Sequence, residues 1–227
     1  MFFVDEAAIE RAHEQLINDH GNLADHKDLV ESVLSFIADI SSCHPHQIED
    51  DLVNLRLAIR CFNSLSSAFV CLRKGYYQPS LTLLRDIIET TFLLDLFQKD
   101  AGELSEWVHA TEQDRKKNFS PYKVRVRLDE IDGFSEMKRA EVYKFYSTIA
   151  SHANPSGFQI TMINGDSQIG PFPNQKLFQA CLEDIAKYSF LCGLTVFCAL
   201  NSTDDKVLEV KAKFVDAIEP WKKKYFP

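Results

Sequence analysis

Along most of the chain, apolar residues return every three or four positions, the spacing that lines one face of an α-helix. Ile9, His13, Leu16 and Ile17 mark a first helix, and Leu29, Val33, Phe36, Ile37 and Ile40 a second. Leu52, Leu55, Ile59, Phe62, Leu65, Phe69 and Leu72 trace a long third helix. Gly75 follows where a left-handed helix C-terminus favours glycine. Pro79 supplies a first-turn proline for a fourth helix running to about Asp100, and a fifth is expected over about Ala101 to Lys117.

Beyond that point the pattern is less uniform. Ser120-Pro121 reads as an N-cap with a first-turn proline. Lys123-Val124-Arg125-Val126-Arg127-Leu128 alternates strictly, which is a strand signal, but the preceding cap favours a short helix. Phe134 to His152 reads as a helix stopped by Asn154-Pro155-Ser156-Gly157. Phe158 to Ile163 and Ser167 to Ile169 flank Asn164-Gly165, the sequence of a tight hairpin turn. Asn174 opens a long apolar helix to about Leu200, and a last, charge-rich helix spans about Asp204 to Lys224. No linker or repeat divides these elements. The expectation is a mainly α, multi-helix bundle, a single helical domain over residues 1–227, with one β-hairpin inserted at about residues 158–170.

Composition narrows the setting. A 45% hydrophobic content with 17 phenylalanines supports a large core, and a net charge of −8 argues against general nucleic-acid or anionic-membrane binding by the whole surface. The N-terminus has no basic region and turns acidic at Asp5, unlike a signal peptide. The longest uncharged run, Tyr188 to Thr203, falls short of the roughly 18 to 20 apolar residues of a membrane span. Six cysteines without a CxxC pair read as free core thiols, so the chain is expected in the cytoplasm and not at a membrane.

The helix from Leu81 to Leu94 is apolar nearly all round, which predicts a central position, yet it carries Arg85 and Glu89 one turn apart. A buried guanidinium must be paired. Two readings follow: an internal Arg85–Glu89 pair extended by Tyr143, Tyr146 or Ser151, or an anion clamp at Arg85 with His152 as a proton-transfer group. Within Tyr143 to Pro155, an apolar helical run ends on His152 where the chain must leave its helix.

The pattern Leu-Leu-Arg85-x-x-x-Glu89, with Tyr146-x-x-x-x-Ser151-His152 closing a later helix, resembles prokaryotic helical families of unknown function. These are distantly similar to the HEPN (higher eukaryotes and prokaryotes nucleotide-binding) bundles. The similarity covers about Leu52 to Pro155. Ribonucleases of that group carry an arginine followed by four to six residues and a histidine on one helix. Here Phe145, Tyr146 and Ser147 occupy the positions that the arginine would take.

Glu10-Arg11-Ala12-His13 and Glu106-Trp107-Val108-His109 match the Glu-x-x-His spacing of di-iron bundles, but the bridging glutamates of such a centre would come from two further helices, and only Glu89 is an obvious inward candidate. Cys43-His44-Pro45-His46 has no second ligand cluster to complete four, and reads as a loop. No metal and no cofactor is therefore expected. The segment Arg115 to Arg127 holds six positive charges and no acidic residue, interleaved with Phe119 and Tyr122. Phosphate contact favours such clustering. The preferred reading is a helical-bundle protein whose polar site binds an anionic ligand, a nucleotide or RNA. Its candidates are Arg85, Glu89, Tyr146 and Ser151 with Arg125 and Arg127, and His152 is the candidate catalytic group. A non-catalytic scaffold that forms a homodimer through its helices is the alternative. A HEPN-type ribonuclease without the usual arginine is the third.

Overall fold

Four long helices carry the core of this computed structural model, which describes residues 4–46 and 48–226 apart from the Ser151 side chain. Met1 to Phe3, on which the reading of the N-terminus partly rests, and the side chain of candidate Ser151 lie outside the described residues. The helices are α1 (Glu6–Asp19), α2 (Gly21–Cys43), α3 (Glu49–Arg73), α4 (Tyr77–Lys99), α5 (Ala101–His109), α6 (Glu112–Asn118), α7 (Pro121–Asp132), α8 (Lys138–Tyr146), α9 (Gln175–Ala199) and α10 (Asp205–Tyr225). A π-helical turn (Ser147–Ser151) extends α8, and a 3₁₀ stretch (Pro155–Thr161) precedes the two-residue strands β1 (Met162–Ile163) and β2 (Asp166–Ser167). The molecule is mainly α, as its periodicity predicts.

Helices α2, α3, α4 and α9 pack on one another, α1 and α10 flank α2, and α5, α7, α8 and the π turn lie along α4. The inner stripe of α3 differs from the expected one. Ala58, Cys61, Leu65, Ala68 and Leu72 are fully buried while Ile59 is 44% exposed. The 3-4-3-4 spacing of that stripe, with small residues at three positions, suits a close approach to a neighbouring helix. Ser80 on α4 donates to the Ala68 carbonyl at 2.8 Å, a polar contact in the α3–α4 seam. Similarly, a β-carbon on Gly193 of α9 would lie 2.8 Å from Phe214 and 3.2 Å from Val33. By length and composition α3 is also apolar enough to cross a membrane.

Local signals set the boundaries. Gly75 adopts φ 84°, Tyr76 N–H reaches the Cys71 carbonyl at 2.8 Å, and a β-carbon on Gly75 would meet the Phe172 carbonyl oxygen at 2.6 Å. The ambiguous 123–128 segment is helical, within α7.

Three expected boundaries move. The fifth helix is two, because Thr111 accepts from Asp114 N–H and starts α6 afresh. Helix α8 begins at Lys138 and not Phe134, after Gly133 closes α7 in the left-handed region. The hairpin is real but short, with Met162 opposite Ser167 and Asn164 and Gly165 both at positive φ. Residues 158–161 belong to the 3₁₀ stretch, which Asn154 caps by accepting from Ser156 N–H at 2.9 Å.

Two buried histidines act as struts. Nδ1 of His13 sits 2.8 Å from the Arg73 carbonyl and Nε2 lies 3.1 Å from the Tyr77 hydroxyl, with the ring stacked on Phe178. Trp221 donates to His26 at 2.9 Å and ties α10 to α2. The cysteines are free thiols, with Cys61, Cys181 and Cys192 buried.

Candidate functional site

Helix α4 presents Arg85 and Glu89 toward α7 and α8. Their separation, Nε to Oε1, is 2.8 Å, as expected for residues one turn apart. The Nε hydrogen is not aimed at that oxygen, so the contact is an ion pair without a well-formed hydrogen bond. Arg85 donates instead to the Tyr143 hydroxyl at 2.6 Å, and its guanidinium lies 4.8 Å from the Tyr143 ring centre. Tyr143 belongs to α8, so this contact pins α8 to α4.

Arg125 reaches the same ring from α7, its guanidinium carbon 3.9 Å from the Tyr143 centroid. Val124, Arg125 and Leu128 form the buried face of α7, and Arg125 is only 6% exposed. Among the described residues, neither its Nε nor its Nη1 has a hydrogen-bond partner. Burial pushes its pKa below the usual arginine range, against the pull of Tyr143, Glu89 and Asp129 and helped by the like charge of Arg85. An arginine nevertheless stays protonated. The molecule thus holds a charged side chain, out of water, with donors unanswered.

A cleft of about 330 Å³ opens beside it, lined by α3, α4, α5 and the turn from α6 into α7. Leu57, Phe92, Leu93, Trp107, Phe119 and Val124 make its apolar wall; Arg60, Asp86, Glu89 and Arg125 are the charged residues that border it. Arg60 and Asp86 are paired across α3 and α4, and Ser64 donates to the second Asp86 oxygen at 2.7 Å. Arg60, Asp86 and Trp107 were not among the sequence candidates. Only Asp86, a third charge inside an apolar helix, left a signal there.

The other candidates lie apart from this group. Arg127 pairs with Glu103 and covers Phe119. Tyr146 is buried against α9, edge-on to Tyr188 at 5.7 Å between centroids. Burial raises its pKa strongly, with the neighbouring Asp184 carboxylate adding to the rise. Burial likewise raises the pKa of Asp184, opposed by the neighbouring Tyr146 hydroxyl. His152 is exposed, and no hydrogen bond or ion pair of its ring to Arg85 or Glu89 occurs among the described residues. Its backbone N–H closes the π turn on the Ser147 carbonyl at 3.0 Å. That turn leaves the Ala150 carbonyl to accept from Gln78 and Thr82 of α4, at 3.3 and 3.0 Å.

The basic run does not form one stripe. Arg115 caps the end of α5 by donating to the Trp107 and Val108 carbonyls, Lys116 pairs with Glu112, Arg127 with Glu103, and Arg125 points inward. Both Glu-x-x-His histidines are engaged by protein groups: His13 as above, and His109 with the Ser105 carbonyl at 2.9 Å. Buried His44 meets the Asn201 carbonyl at 3.2 Å.

No curated protein and no solved structure matches the chain. Residues 51–141, which run from α3 into α8 and hold Arg60, Arg85, Asp86, Glu89 and Arg125, match the profile of a family of unknown function, DUF5677.

Proposed function

We propose that the protein binds a small anionic ligand in the cleft between α3, α4 and the α5–α7 segment, and that Arg125 is the group that holds it. The observation that carries this reading is an arginine only 6% exposed, with two unpartnered guanidinium nitrogens, at the edge of a cleft. A buried donor without an acceptor costs stability, and native proteins rarely keep one that has no other use. An anion supplies the missing acceptors and the opposite charge. Arg85 and Glu89 act one step back, since Arg85 holds the Tyr143 hydroxyl and so sets the ring against which Arg125 lies. The divergent directions of the basic run favour a small ligand over an extended RNA strand.

The test is the melting temperature in sodium acetate and sodium phosphate against sodium chloride at matched ionic strength. One of the two anions should raise the wild-type value, and Arg125→Met should abolish that rise. No anion-specific rise, or an equal rise in the variant, refutes the reading. The ribonuclease alternative is tested separately by incubating the protein and His152→Ala with total RNA without added metal. Cleavage by the wild type alone would support it.

A further inference from the structure

Resting on that anion-binding reading, we propose that the ligand is a small monocarboxylic acid with an apolar body. Charge balance supports this first. Three guanidiniums stand in or beside the cleft, and two of them are matched, Arg60 by Asp86 and Arg85 by Glu89. Asp129, the next carboxylate near Arg125, is held by Arg139 at 2.6 Å. Among these three guanidiniums and the two carboxylates that match them one positive charge is left over, so a single negative charge neutralises the group, and Asp129 shares Arg139 with Asp132. A phosphate dianion would place a second negative charge beside Glu89, whose Oε1 is itself buried without a hydrogen-bond partner. In a partly desolvated cleft that repulsion is weakly screened.

The geometry of the guanidinium agrees. It offers two planar forks, Nε with Nη2 and Nη1 with Nη2. Each contains one of the unpartnered nitrogens. A carboxylate matches either fork with two parallel hydrogen bonds. Beyond the charged residues, Thr90 and the Trp107 N–H are the polar groups of a lining otherwise made of leucine, valine, phenylalanine and proline, so ribose hydroxyls or a phosphate chain would find few partners there. The lining suits an alkyl or aryl group. At about 330 Å³ the cleft lies at the small end of ligand pockets. That is room for a fatty or aromatic acid of modest length.

Calorimetric titration of the full chain with hexanoate, benzoate, hexanamide, inorganic phosphate and AMP tests this. Hexanoate or benzoate should bind one per chain. Replacing the carboxylate by the amide, or Arg125 by methionine, should each weaken binding at least about tenfold. Trp107→Ala should weaken it as well, and phosphate and AMP should give no heat. Arg125-dependent binding of phosphate or AMP, as well as or better than the carboxylates, overturns the carboxylate assignment and leaves the anion site standing. Absence of binding by every anion, or equal binding to Arg125→Met, overturns both. Circular dichroism of each variant at the titration temperature confirms that the folded chain is being titrated.

Discussion

Replacing Arg125 by methionine should stabilise the ligand-free protein. Arginine at this position leaves two N–H-bearing nitrogens without acceptors at 6% exposure. Each unanswered buried donor costs about 1–3 kcal/mol. The cation–π contact with Tyr143, 3.9 Å from carbon to ring centre, offsets about 0.5–2 kcal/mol of that, the attraction of Glu89 and Asp129 adds to the offset, and the like charge of Arg85 works against it. Methionine keeps an unbranched apolar stem, ends short of the guanidinium that covers Tyr143, and loses the charge. The net expectation is a gain of about 1–2 kcal/mol. For a chain of this size each kcal/mol moves the midpoint by roughly 2–4 °C, so the melting temperature should rise by about 2–8 °C. Calorimetry, paired with urea unfolding in which the m-value stays constant, measures it. Arg125→Lys, which keeps a buried charge, should give no such gain. If Arg125→Met lowers the midpoint by several degrees, the guanidinium is structural and the cleft loses its anion anchor. Such a gain in stability at the expense of binding is the usual trade-off at functional sites.

Other parts of the fold give further tests. Burial lowers the pKa of His13, opposed by its bond to the Arg73 carbonyl, so the folded state keeps the ring neutral below the usual histidine value of about 6.5. The unfolded chain then binds the extra proton. This contribution is intact above pH ~6.5 and is lost as pH falls through the lower folded value. Unfolding free energy measured from pH 7.5 to 5 should therefore fall less steeply in His13→Gln than in the wild type, and equal slopes would contradict the assignment. Tyr77→Phe removes the acceptor of the Asn174 N–H and the partner of His13, and should cost about 1–3 kcal/mol in urea unfolding. Gly193→Ala drives a β-carbon into Phe214, which is stacked on Phe36 at 4.0 Å, and should cost about 1–3 kcal/mol despite alanine's better helix propensity. His152→Ala, at an exposed position, should change stability by less than about 0.5 kcal/mol.

Much of the fold was legible before any coordinates. Helical faces such as Val33, Phe36, Ile37 and Ile40 are buried as their spacing predicts, and Gly75 and Pro121 mark the boundaries that their backbone preferences demand. Where the reading slipped, a local signal had been outweighed. Thr111 with Asp114 three residues on is a helix start, overlooked because the charge-rich run looked continuous. The alternation of Phe158 to Ile163 suggested a longer strand, but the Asn154 cap had already begun a 3₁₀ stretch.

The candidate site was only half legible. Arg85 beside Glu89 was visible because both belong to one helix and the pairing depends on a single turn of backbone. Arg125 stood out only as one charge in a basic run. Helical spacing put it on the same face as Val124 and Leu128, but nothing local says whether an arginine there bends out to water or is sealed in. Sequence by itself determined the helices, their ends and most of their apolar faces, since these follow from hydrogen bonds and packing between near neighbours along the chain. Tertiary structure alone decided that Tyr143 and Arg85, 58 residues apart, close over Arg125 while Tyr146 turns to Asp184 and His152 stays in solvent. The reason is that the cost of burying a charge depends on what the other helices place around it, which no periodicity within its own helix can record.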